Sequence, residues 1–251
     1  MSPARAHRQR MLAAKAAGTA LTSAPARHAG GAAGEYEIML AKLGLDLREL
    51  HDIQSLERKI DRKREMLPEY EAWVEGVLKG MLDSGHGVAD EIFPTIMIWR
   101  IDVGDFVGAL PLAAAVLRYK LALPERYKRT PATLICEEYA DAALKAIGQG
   151  GDFDIRVLQA VEHMLADEDI FNIVQAKLHA AIGRLLAMQV KALEDSADGP
   201  AGNKRALLAA AIERLKRARA LDAKIGVKKE LDGLERLAAK LAEAATTNAG
   251  D

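Results

Sequence analysis

From Tyr36 onward, apolar residues return every three or four positions. Ile38, Leu40, Leu43, Leu47 and Leu50 begin a stripe that Ile53, Leu56, Ile60 and Leu67 extend, with charges between them. That period is helical. It predicts one long charged helix with a thin apolar seam, suited to antiparallel or intermolecular packing. Pro68 marks a new start. Tyr70 to Leu82 reads as a second helix facing inward through Trp73, Val74, Val77, Leu78 and Met81, and Ser84-Gly85-His86-Gly87 ends it. Val88 to Arg100 is a strongly apolar helix that Pro94 either kinks or lies near the start of. Asp105 is expected to cap the next helix, which carries Phe106, Ala109, Leu110, Ala113, Leu117 and Leu121 on one face and is bent at Pro111.

The second half continues the pattern. Thr130 and Pro131 open a helix that reaches Ile147 and stops at Gly148-Gln149-Gly150-Gly151. Asp152 is the expected cap of a helix with Ile155, Leu158, Val161 and Leu165 inward. A longer helix from near Asp169 carries Phe171, Val174, Leu178, Ile182 and Leu185. Asn203 caps a helix running to Asp222, and beyond Gly226 the last spans Val227 to Ala244. No segment sustains a period of two, so the fold is expected to be all-α. Gly104 to Leu110 and Leu215 to Asp222 resemble pieces of tetratricopeptide helices, which suggests stacked hairpins with tetratricopeptide-like packing.

The first 34 residues differ. Arg5, Arg8, Arg10, Lys15 and Arg27 stand among Ala, Gly and Ser, and no acid precedes Glu35. A flexible basic arm is expected, with a short helix around Arg8 to Ala17. The predicted organisation is an arm (1–34), a helical hairpin for DNA binding or oligomerisation (35–82) and a helical-repeat-like core (83–195). A linker (196–203) and C-terminal helices that offer a docking surface (204–251) follow.

Composition narrows the chemistry. The chain has 251 residues, half of them hydrophobic, 4% aromatic, with a formal net charge of −1. A sizeable core can form, and the scarcity of aromatics favours helix over sheet. With no overall basic excess, a nucleic-acid site must come from local charge asymmetry. Cys136 is the single cysteine, so an intrachain disulfide and a multi-cysteine zinc site are excluded. It reads as a buried structural thiol. No apolar run approaches a membrane span of about 20 residues, no signal peptide is read at the N-terminus, and the cytoplasm is the expected compartment. By themselves the residues reach a helical protein associated with nucleic acid.

Two phrases carry more: Met97-Ile98-Trp99-Arg100-Ile101-Asp102-Val103-Gly104-Asp105, and Arg126-Tyr127-Lys128-Arg129-Thr130-Pro131 followed by Glu137-Glu138. With Ser2-Pro3-Ala4, Arg27-His28-Ala29, Tyr36 to Leu43, Lys63 to Pro68, Trp73 to Leu78, Lys177-Leu178-His179 and Gly226 to Glu230, their order and spacing resemble the small terminase subunit of P2-like tailed phages. That resemblance implies a non-catalytic subunit that recognises the packaging site on double-stranded viral DNA. It also implies assembly as a homo-oligomer and recruitment of a large ATPase-nuclease subunit in the host cytoplasm. Members of that family can end in a long basic tail; here the stretch up to Asp251 is Ala-rich and weakly charged, so no tail role is carried over. The family has also been called the endonuclease subunit of terminase, which keeps an intrinsic metal-dependent endonuclease as the first alternative. A helical-repeat adaptor for peptides is the second.

The residues expected to touch DNA are Arg5, Arg8, Arg10 and Arg27 in the arm and Arg58, Lys59, Arg62, Lys63 and Arg64, which outweigh Glu57, Asp61 and Glu65 around them. Phosphate neutralisation by such cations supplies most non-specific affinity. Lys128 and Arg129 before the Thr130 helix start form a possible anion site. Lys204, Arg205, Arg214, Lys216, Arg217 and Arg219 share one helix and suit either DNA or the large subunit. Asp83, His86, Asp90 and Glu91 cluster in sequence but read as capping and dipole residues rather than a metal site. Trp73 and Trp99 read as core anchors, and Arg100 with Asp102 as the lock of the turn between two helices. No phosphate loop and no catalytic triad is present, so catalytic residues, metal and cofactor are all expected to be none.

Overall fold

The computed structural model describes residues 2–18, 31–194 and 201–247. These form eleven α-helices, one 3-10 turn and no strand. The chain divides into two compact units, Met1–Pro131 and Ala132–Asp251. That division falls inside the stretch 83–195 that the sequence suggested as one core.

The N-terminal unit holds α1 (Pro3–Gly18), α2 (Gly31–Asp52), α3 (Leu56–Met66), a 3-10 turn (Leu67–Glu69), α4 (Glu71–Ser84), α5 (Ile92–Asp102) and α6 (Phe106–Arg118). α5 is apolar all round, and every residue from Ile92 to Trp99 is buried, as expected of a central helix. Its own Phe93, Met97 and Trp99 fill the core together with Tyr70 and Trp73, and the Tyr70 and Trp99 rings meet edge to face at 5.8 Å. Both tryptophans are thus core anchors, as read from the sequence.

Several expectations are corrected here. The expected single charged helix is two, because the chain leaves helical geometry after Asp52 and Ser55 restarts it, its hydroxyl accepting the Arg58 N–H at 3.4 Å. The apolar period runs through that break unchanged, which hides it. The inner face of α2 is Met39, Leu43 and Leu50, and Ile38 faces out. The segment expected as a flexible arm contains α1, about four turns rather than a short helix. α1 packs along α4 with Gln9 and Ala13 buried. Gly76 permits this: a Cβ there would meet the Arg10 carbonyl oxygen at 2.5 Å. The turn after α5 is locked differently too. Arg100 pairs with Asp105 at 3.0 Å and Glu71 at 2.8 Å, while Asp102 pairs with Lys63 at 2.6 Å. Asp105 does cap α6, accepting the Gly108 N–H.

The C-terminal unit holds α7 (Pro131–Gly148), α8 (Ile155–Met164), α9 (Asn172–Glu194), α10 (Ala201–Leu221) and α11 (Lys228–Thr247). α9 lies along α10, and Gly183 allows the approach, since a Cβ there would sit 2.6 Å from Leu215 Cδ2. Ala180, Val190, Leu208, Leu215, Ala218 and Leu231 close this core. Cys136 is fully buried, and burial pushes its thiol up to about 12, with Glu137, Asp141 and Glu162 adding to the shift. The cap of α8 is Asp154 rather than Asp152. Phe171 precedes α9 and is 66% exposed, whereas Val174, Leu178, Ile182 and Leu185 are buried as expected. Tetratricopeptide-like packing is not confirmed: α1 packs on α4, which begins at Glu71, rather than in successive equal hairpins. The suggested linker 196–203 falls largely outside the described residues, and residues 201–203 begin α10.

Candidate nucleic-acid interface

α3 presents its cations because its sequence is charged at nearly every position, leaving only Met66 buried. Most of those charges are spent within the protein. Arg62 grips Glu49 of α2 through Nε at 2.5 Å and Nη2 at 3.1 Å, and Glu65 through Nη1 at 2.8 Å. These bonds raise the guanidinium's already high pKa. Lys63 ties α3 to Asp102 at the end of α5. Arg64 holds Asp61 at 2.7 Å and reaches the Val103 carbonyl. Arg58 and Lys59, of the five cations in this cluster, make no ion pair among the described residues. Arg58 is exposed and Lys59 half-buried. A groove of about 760 Å³ beside them is lined by Glu49, Asp52, Asp61 and Glu65 as well as Arg58 and Arg62. Its potential is therefore mixed.

On α1, Arg10 pairs with Glu75 of α4 at 3.3 Å, and Arg5 and Arg8 are exposed without an ion pair among the described residues. Docking on α4 gives these two cations a fixed base, which a free arm would not. Arg27 lies outside the described residues. In the loop before α7, Arg126 is the anchor, a role that no local pattern marks. It donates to Thr95 Oγ1 at 2.6 Å and stacks over the Tyr127 ring at 5.0 Å. Lys128 and Arg129 beside it are exposed. On α10, Arg214 binds Glu162, Lys216 pairs with Glu235 at 3.2 Å and Arg205 donates to the Leu241 carbonyl. Arg217 and Arg219 are exposed without an ion pair among the described residues. Residue order cannot separate spent from available cations, because many of the partners come from other helices.

The acidic cluster resolves into structural roles. Asp90 is buried. Its Oδ1 accepts the N–H groups of Ile92 and Phe93 at 2.7 and 2.8 Å, and its Oδ2 accepts Trp73 Nε1–H at 2.9 Å. Asp83 pairs with Lys79, and His86 Nδ1 lies 2.7 Å from the Ser84 carbonyl oxygen. Among the described residues, no three His, Cys, Asp or Glu side chains converge to hold a metal ion, and no helix is long and apolar enough to cross a membrane.

The chain is 40% identical, over 94% of its own length and 85% of the relative's, to a protein of Escherichia phage P2 named "Terminase, endonuclease subunit". No solved structure matches it. Residues 40–173, which include α3, the buried α5 and the basic loop, match the family described as phage small terminase subunit. On both grounds the chain belongs to the phage small terminase subunit family, with a role in the DNA-packaging terminase.

Proposed function

We propose that this chain binds double-stranded viral DNA at the packaging site, as a homo-oligomer, and recruits the large ATPase-nuclease subunit in the host cytoplasm. The carrying observation is a set of cations on helices of one unit that make no ion pair among the described residues: Arg5 and Arg8 on α1, Arg58 and Lys59 on α3. Each cation that neutralises a phosphate releases counterions, and several copies add their weak sites through multivalency. The role of the large subunit is to supply the motor; Arg217 and Arg219 on α10 are the surface offered to it or to DNA.

The test is a DNA titration across salt concentrations. Arg5→Gln with Arg8→Gln, and separately Arg58→Gln with Lys59→Gln, should weaken binding and flatten its salt dependence. Point substitutions are preferable to deleting the first 34 residues, since deletion uncovers the α4 surface at Gly76 on which Ala13 lies and removes Gln9 from Glu35 and Met39 of α2. If both double variants keep the wild-type affinity and slope, this reading fails. The name of the P2 relative favours a second reading, an intrinsic metal-dependent endonuclease. Cutting of DNA by the purified protein with Mg²⁺ or Mn²⁺, without the large subunit, would support it.

A further inference from the structure

We infer that the outward face of α2 is a self-association surface, on which a second copy of this chain docks antiparallel about a two-fold axis. The inference rests on the oligomeric part of the function proposed above and supplies the surface it needs. α2 is held to its own unit by Tyr36, Met39, Leu43, Asp46 and Leu50, the inward face. At about 100° per residue, Ala41 stands at the opposite, outward pole. Ile38 and Leu45 lie about 40–60° to one side of it, and Glu37 and Arg48 about 20–40° to the other. Ile38 is 58% exposed and Leu45 60%. Glu37 and Arg48 are exposed and make no ion pair among the described residues. They stand about 16 Å apart along the helix, too far to satisfy each other.

This face is divided into an apolar flank and a charged flank, and the division chooses the partner. A two-fold axis perpendicular to the plane of two side-by-side helices makes them antiparallel and sets each flank against the same flank of the copy. Ile38 then meets the partner's Leu45, and Glu37 meets the partner's Arg48. Both pairings occur in one register, centred between Ala41 and Lys42, within about one helical turn. The small Ala41 at the crossing lets the backbones approach. A parallel two-fold pair would instead set the apolar flank against the charged one. The charge order Glu37-then-Arg48 along the helix is thus complementary to itself only when reversed, which singles out a second copy rather than an unrelated helix.

Sedimentation of the full chain over a wide concentration range tests this. The wild type should associate in even-numbered steps. Leu45→Glu should halve the mass reached at the first step while leaving the helical circular dichroism unchanged. Glu37→Arg and Arg48→Glu should each weaken association, and the two combined should restore it. Ala41→Cys should give an oxidised covalent dimer, to which the buried Cys136 contributes nothing. The inference is overturned if the wild type stays monomeric, if Leu45→Glu associates as the wild type does, if Ala41→Cys gives no covalent dimer, or if the combined charge swap fails to restore association. Its failure is distinct from failure of the DNA reading: a monomer can still show the salt slope of Arg58 and Lys59, and a dimer can ignore DNA.

Discussion

The Lys63 ammonium lies 2.6 Å from the Asp102 carboxylate, so a cation in the most basic run of the chain is spent joining α3 to α5. Its neighbours Arg58 and Lys59, one turn earlier, have no such tie among the described residues. The two kinds of cation should behave differently. Arg58→Gln with Lys59→Gln should reduce the salt-dependence slope of DNA binding by about one for each phosphate no longer neutralised and leave stability nearly unchanged. Lys63→Met should leave the slope unchanged and cost about 1 kcal/mol, the range of a partly exposed ion pair. Paired DNA titrations and urea melts separate the outcomes; a slope change in the Lys63 variant alone would reverse the assignment.

Asp90 joins α4 to the start of α5 by accepting from Trp73 and two backbone amides at once. Asp90→Ala removes a helix cap and orphans a buried indole N–H, together about 2–4 kcal/mol. Asp90→Asn keeps an acceptor and should cost less. Chemical denaturation followed by tryptophan fluorescence checks both. A neutral Asp90→Ala would mean that the cap is dispensable.

Gly76 sets the distance between α1 and α4. Gly76→Val should push α1 off its seat, since the obstructing atom is the Arg10 backbone rather than a movable side-chain end. Overpacking of this kind costs about 1–3 kcal/mol. The expected signature is local: faster tryptic cleavage at Arg8 and Arg10 and loss of amide protection in α1, with α5 still protected. Unchanged protection in α1 would refute the docking.

His179, against Glu162 of α8 and Arg214 of α10, is half-buried. Burial lowers its pKa below the ordinary 6.5; the Glu162 carboxylate works against this, and Arg214 and Arg217 add to the lowering. The unfolded chain therefore binds the proton more readily than the folded one, and stability falls as pH drops from about 6.5 toward the folded value. Thermal melts between about pH 7 and 5 should show a steeper loss for wild type than for His179→Gln. Parallel curves would show that this residue titrates normally.

Much of the fold is legible in the chain because helical periodicity, caps and glycine stops are local. Pro131 opening α7, Asp105 capping α6, the stop after Gly148 and the burial of Trp73, Trp99 and Cys136 follow from a few neighbouring residues each. The break at Ser55 is not legible, since Leu50, Ile53, Leu56 and Ile60 keep the period through it. Nor is the outward turn of Ile38, because a stripe read one residue off still looks helical.

The sequence by itself determined an all-α chain, its family and the places where positive charge gathers, since each is written in residue order and type. Only the tertiary structure decided which of those charges remain available. Arg10 is neutralised by Glu75, Arg62 by Glu49 and Glu65, Lys63 by Asp102 and Arg64 by Asp61, and among the described residues Arg58 and Lys59 have no such carboxylate. An ion pair depends on distance in space, which packing sets and residue order does not encode.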